Sequence, residues 1–269
     1  MKLDRIFDDL DVSAAPFALC EFRGRCSLGL TGQGGAVLHY VLAGRGQVRF
    51  ERRAPEPIEQ GMLVLTPAYM SHMLISESGE GGSIPECRPA ELELESHRIE
   101  GAGEGGLVAL CANVRVSLRG VGGVIDLLRE PIVERVAPEG AAGSAMTSLL
   151  EELAAPRLGG RAMIRAILLQ CLISLLRERL MARDPALAWM TALTDERLWS
   201  ALQLMLDRPA GSHTVESLAE AAGMSRSTFA QHFAEAYGSG PMSLLRDLRM
   251  QMAASMLARS SLPVKRIAE

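Results

Sequence analysis

TVESLAEAAGMSRSTFAQHFAEAY, residues Thr214–Tyr237, decides how the carboxy-terminal part of this chain folds. Thr214 is suited to cap a helix, and Val215, Leu218, Ala219 and Ala222 recur at helical spacing to give one apolar face. Gly223 follows the last turn, where a left-handed backbone is easiest for glycine. Met224 then plugs the inside of a corner, and Ser225 caps the next helix. Within that helix Phe229 and Phe233 are i,i+4 neighbours, so both point back at the first helix. The opposite face holds Ser227, Gln231 and Ala234, with Arg226 and Ala230 on its margins. The pattern fits a helical hairpin in a bundle core or a helix-turn-helix. In the second case the N-terminal residues of the second helix enter the DNA major groove. Gln231 then suits an adenine edge, Ser227 several bases, and Arg226 a phosphate.

Upstream, the period of the sequence changes twice. Asp195–Leu206 reads as an amphipathic helix leading into the motif. Before it come MTSLLEEL (Met146–Leu153), a break at Pro156–Gly160, and the Leu-rich RAMIRAILLQCLISLLRERL (Arg161–Leu180). Residues Ala36–Ile75 instead alternate and turn as short strands, and LVALCANVRVSL (Leu107–Leu118) returns to that character. Gly79–Gly106, rich in Gly, Glu and Pro, is expected to be a long mobile insertion. The fold class is therefore α+β: a small antiparallel β-barrel or sandwich over residues 1–140, middle helices over 141–190, and an all-α region over 191–269.

Composition excludes more than it selects. A length of 269 residues suits about two domains. Hydrophobic content is 48 %, yet no run of roughly 18 apolar residues occurs, so no membrane span is expected. MKLDRIFDDLD is acidic from Asp4 and lacks a signal-peptide core, which places the chain in the cytoplasm. Net charge is −4, and Thr214–Glu269 carries six Lys/Arg against five Asp/Glu, or +1. Any DNA affinity then depends on local placement of charge.

LAEAAGMSRSTFAQHF (Leu218–Phe233), followed by Gly238, Pro241, LRDLRMQMAASML (Leu245–Leu257) and LPVKRIAE (Leu262–Glu269), resembles the DNA-binding region of AraC-type transcription regulators. The resemblance implies two helix-turn-helix units joined by a long helix, here about Pro241–Ser260, with double-stranded DNA as partner. It places the base-reading positions of the first unit on Ser227, Ala230 and Gln231, where Ala230 offers only a methyl group. LPVKRIAE begins a second unit and the sequence stops at Glu269, so an incomplete second unit is expected. Family regulators often dimerise, and residues 145–183 are the expected interface. The alternative is a truncated regulator that acts through dimerisation without gripping DNA alone.

LHYVLAGRGQVRF (Leu38–Phe50), the GMLVLTP turn (Gly61–Pro67) with His72 five positions beyond Pro67, and LLREPI (Leu127–Ile132) resemble the cupin-type sensor domain of one branch of that family. Enzymatic cupins share the fold but need clustered His and carboxylate ligands. Here only His39 and His72 fall in strands, and Val41 breaks an HxH pair, so a metalloenzyme is disfavoured and no enzyme is expected.

Five cysteines, Cys20, Cys26, Cys87, Cys111 and Cys171, are an odd number in a chain expected to stay in a reducing compartment, where structural disulfides are rare. Cys171 lies among leucines as core filler, Cys87 falls in the expected insertion, and Cys26 sits near a strand. Cys20 and Cys111 occupy apolar strand-like segments. With His39 and His72 they match the sensing cysteines and accompanying histidines of a subgroup that resembles this chain and is activated by reactive chlorine species. A histidine or positive charge lowers a thiol pKa, and the thiolate is what an oxidant attacks. The same two thiols and two imidazoles are also the ligand set of a tetrahedral zinc ion. Plain core packing and an organic effector pocket remain open beside these readings.

Overall fold

Side-chain alternation along three long strands divides the amino-terminal half into two cores. The computed structural model describes residues 8–32, 35–51, 53–77, 87–118, 123–136, 141–187, 189–190, 193–259 and 263–268. The strands are β1 (Leu10–Arg25), β2 (Ser27–Leu30), β3 (Ala36–Phe50), β4 (Glu56–Glu59), β5 (Met62–Thr66), β6 (His72–Ser76), β7 (Glu95–Glu100), β8 (Ala102–Leu118) and β9 (Ile132–Arg135). In β8, Leu107, Ala109 and Cys111 enter an inner core, while Val108, Leu110, Ala112 and Val114 enter an outer one. β1 divides likewise, with Ala18, Cys20 and Phe22 inside and Leu19 outside. Successive residues of a strand face opposite sides, so a strand apolar on both faces serves two cores at once.

The strands hydrogen-bond in the order β2-β6-β3-β8-β1-β7, with β4 and β5 also on β3 and β9 on β5. β3 is long enough to turn the sheet. Its first half pairs with β5 and β8, and its second with β4 and β6. The sheet thus curls into a half-barrel in which β6 lies over β1 and β8. A β-bulge at Val41/Ala43 falls within the bend.

Two expectations need correction. The sheet is not wholly antiparallel, because β7 runs parallel to β1. Residues 78–86 of the expected Gly79–Gly106 insertion lie outside the described residues, but the rest is ordered: a 3-10 turn at Pro89–Leu92, then β7, then the start of β8. β7 carries ESHRIE on an exposed edge, with only Ile99 partly buried, so it has no apolar alternation to read. Backbone pairing to β1 defines it. Cys87, assigned to that insertion, is instead half-buried against the outer core.

Helices α1 (Ala141–Ala154) and α2 (Gly160–Met181) follow, and α2 packs on β1. Its Ile164, Ile167, Leu168, Cys171, Leu172 and Leu175 fill the outer core, with Cys171 as the buried filler expected. That core continues through Trp189 and Met190 to α3 (Glu196–Asp207), which Asp195 caps with its side chain. Then come α4 (Val215–Ala221), α5 (Arg226–Tyr237), α6 (Pro241–Arg259) and α7 (Val264–Ala268).

The helix-turn-helix forms as its residues dictate. Thr214 Oγ1 accepts from Ser217 N at 3.1 Å and Ser217 Oγ accepts from Thr214 N at 3.0 Å, a reciprocal cap. Gly223 takes φ +61° at the corner, and Ser225 caps α5. Phe229 and Phe233 are fully buried, each burial worth about 1.5–3 kcal/mol. Among the described residues no helix is long and apolar enough to cross a membrane.

Candidate functional site

Four side chains meet inside the half-barrel. His39 on β3 lies directly opposite Cys111 on β8 in the strand register. Cys20 on β1 pairs with Ala109, two residues from Cys111 on the same face, which places the thiols diagonally across β1 and β8. His72 opens β6 opposite Phe50, so it arrives from the far wall of the curled sheet. Cys20 and Cys111 sulfurs are 3.6 Å apart, His39 Nδ1 is 3.1 Å from the Cys111 sulfur, and His39 Nε2 is 2.7 Å from His72 Nε2. All four residues are buried, His72 the least at 6 % exposure. Apolar Phe22, Val41, Phe50, Leu74 and Leu107 belong to the same inner core.

Burial sets the protonation of this cluster. It penalises the charged form of His39, whose pKa is pushed down to about 3, with His72 as a further positive neighbour to avoid. His72 is also lowered by burial, partly offset by its contact with the Met70 carbonyl. Both rings are therefore neutral near pH 7. The thiols divide their acidity: hydrogen bonding from Cys111 lowers Cys20, while the same bond and then burial raise Cys111 well above the ordinary thiol range. Both cysteines are free thiols.

Zinc does not fit this arrangement. A tetrahedral site needs one lone pair from each ligand aimed at a common point about 2.0–2.3 Å away. Here His39 turns one nitrogen to Cys111 and the other to His72, so the groups form a chain instead of converging. Among the described residues no group of three or more His, Cys, Asp or Glu is placed to hold a metal.

The second cluster is the outer face of α5. Arg226, Ser227 and Gln231 are exposed there and Ala230 is half-buried, which matches the predicted face. Two partners were not foreseen. Arg226 pairs with Glu216 of α4 at 2.7 Å, and Gln231 Nε2 donates to Glu235 Oε1 at 2.9 Å. The Gln231/Glu235 spacing of i,i+4 was a readable signal, whereas the Arg226–Glu216 contact depends on how the two helices cross. The Met70 carbonyl, 3.2 Å from His72 Nδ1, was also missed, since backbone carries no side-chain signature.

Comparison with known proteins agrees with this architecture. Residues 2–181 match the cupin family and residues 218–269 a helix-turn-helix domain. The RCS-specific HTH-type transcriptional activator RclR of Escherichia coli is 46 % identical over 80 residues, which is 30 % of this chain and 28 % of that protein. The HTH-type transcriptional regulator AlkR of Acinetobacter baylyi is 23 % identical over 99 % of this chain and 89 % of its own length. Among solved structures, ToxT of Vibrio cholerae with bound unsaturated fatty acid aligns with 96 % of this chain and 84 % of that one, at 8 % identity and a TM-score of 0.41. The matched relatives are named as regulators of transcription, not as enzymes.

Proposed function

The chain belongs to the cupin family and is a transcriptional regulator of the AraC type; we propose that it senses a two-electron oxidant through Cys20 and Cys111 and passes the change to its helix-turn-helix. The observation that carries this reading is the pair of buried free thiols 3.6 Å apart, one of them on an imidazole. Cys20, the more acidic, attacks the oxidant. With a hydroperoxide its sulfur takes one oxygen, and the alcohol or water of the cleaved peroxide leaves. Cys111 then gives up its proton and attacks the Cys20 sulfur. The S–O bond breaks, the S–S bond forms, and hydroxide joins that proton as water. In sum, two thiols and one hydroperoxide give one disulfide, one alcohol and one water. A hypohalous acid gives the same disulfide with halide, a proton and water.

Closing 3.6 Å to the roughly 2.05 Å of a disulfide moves β1 relative to β8. β1 has Cys20 on its inner face and Leu19 on the outer face, beside α2. The outer core runs without a break from there to Phe229 and Phe233. Two packings of that core, biased by the oxidation state, are the switch. The output is double-stranded DNA, met by Arg226, Ser227, Ala230 and Gln231. A second copy of the chain and a reducing cytoplasm complete the expected setting.

The test is peptide mass mapping of the non-reduced chain after stoichiometric hypochlorous acid or peroxide, with a DNA-binding assay alongside. A Cys20–Cys111 disulfide that changes DNA binding is expected, and Cys20→Ser and Cys111→Ser should abolish the change. An oxidant response that survives in Cys111→Ser would overturn the disulfide.

A further inference from the structure

The direction of every hydrogen bond in the cluster follows from one backbone oxygen. The Met70 carbonyl only accepts, so His72 Nδ1, 3.2 Å away, carries a proton. A neutral imidazole has one N–H, which leaves His72 Nε2 as an acceptor. His39 Nε2 at 2.7 Å must then donate to it, and His39 Nδ1 is left with a lone pair. That lone pair faces the Cys111 sulfur at 3.1 Å, where it accepts the thiol proton. The chain runs Cys111 to His39 to His72 to Met70.

We propose that His72 is a positioning residue: anchored on the Met70 carbonyl, it fixes the His39 tautomer in which Nδ1 receives the proton of Cys111. The anchor is itself built. Met70 lies in the turn after Pro67, in which Tyr69 takes a left-handed φ of 62°. Gly32 lies against that turn so closely that a Cβ on it would meet the Tyr69 carbonyl carbon at 2.2 Å, and Gly32 N donates to Ser71 Oγ at 3.2 Å. The opposite tautomer would place a lone pair of His72 against the Met70 oxygen and an N–H of His39 on the Cys111 sulfur. In the disulfide-forming step, the Cys111 proton passes to His39 Nδ1 as the thiolate attacks the oxidised Cys20 sulfur. The departing hydroxide then recovers that proton as water, so His39 ends neutral.

The inference rests on the sensing reading, and its test separates the two. Long-range ¹⁵N–¹H spectra of the reduced full chain, labelled at histidine, report each tautomer directly. His39 protonated on Nε2 and His72 on Nδ1 are expected; His39 protonated on Nδ1 overturns the proposal. His72→Phe removes the acceptor and frees His39 to flip, and disulfide closure should slow on the order of 10²-fold, the scale of one lost general base. His72→Gln offers a carbonyl to His39 and an amide N–H to Met70, so it should keep the tautomer and restore most of the rate. Closure at the wild-type rate in His72→Phe overturns the proposal, as does equal slowing in both variants with the His39 tautomer unchanged. If the wild-type chain forms no disulfide at all, the sensing reading fails, while the spectra still decide the tautomer. Should His72→Phe not fold, the wild-type spectra and His72→Gln decide it alone.

Discussion

The inner core of the half-barrel and the outer face of α5 both collect polar side chains, but water treats them differently. Around Cys20, Cys111, His39 and His72 solvent is excluded, so each polar atom needs a protein partner and each substitution disturbs its neighbours. On α5, Arg226 and Gln231 stand in water and their contacts to Glu216 and Glu235 are surface pairs, exchanged at little cost. One region stores its chemistry in protonation and the other in shape. A signal acting on the first must therefore reach the second through packing, and the shared outer core is the route.

The sharpest way to break this contrast is to hollow the helix-turn-helix from inside. Phe229→Ala should cost about 3–5 kcal/mol, as large buried truncations do. Denaturant unfolding would measure it, and a loss below about 1 kcal/mol would mean that α5 is not held by its buried face. Gln231→Ala sits two residues away on the wet side. It should leave stability within roughly 0.5 kcal/mol. On an operator selected from random DNA with the intact chain, it should relax discrimination at one base pair by about 1–3 kcal/mol. Uniform weakening across all sites would instead make Gln231 a backbone contact.

Much of the α5 side of this comparison was legible in sequence. The Thr214 cap, the Gly223 corner, the Ser225 cap and the Phe229/Phe233 pair act over a few neighbouring residues, so their spacing states their geometry. The barrel side was legible only by resemblance. Cys20 and Cys111 are separated by 91 positions, and no local period brings them together. Neither β7 nor the Met70 anchor left a mark, because each depends on backbone atoms that every residue carries. Strand pairing at long range decides such contacts, and the apolar pattern says only that pairing occurs. The expected mobile insertion failed for that reason: Glu95–Glu100 is polar on both faces because it is an edge, not because it is a loop.

Titration sharpens the barrel side further. His39 has a folded pKa of about 3 against an ordinary value of 6.5. Between those values the unfolded chain binds a proton that the folded chain refuses. The stability His39 contributes is thus complete above about pH 6.5 and lost as pH falls towards 3, with a slope of roughly 1.4 kcal/mol per pH unit. Chemical denaturation at pH 5, 6 and 7 should show this slope, and His39→Gln should flatten it by about that amount. Equal slopes in the two proteins would mean that His39 is protonated in the folded state.

The smallest expected effect lies where the two regions touch. Arg129, in the segment before β9, donates to Asp247 of α6 at 2.6 Å, and its neighbour Glu130 pairs with Arg53 beyond β3. Arg129 is 42 % exposed and Asp247 34 %, so solvent screens the pair. A double-mutant cycle of Arg129→Ala and Asp247→Ala should give a coupling of up to about 1 kcal/mol at low salt. It should shrink in 1 M salt, where the screening length falls to roughly 3 Å. A coupling of several kcal/mol, indifferent to salt, would make the contact a permanent weld. A weld would resist the shift of β1 that disulfide closure requires, whereas a weak pair lets the packing of the outer core decide which arrangement is occupied.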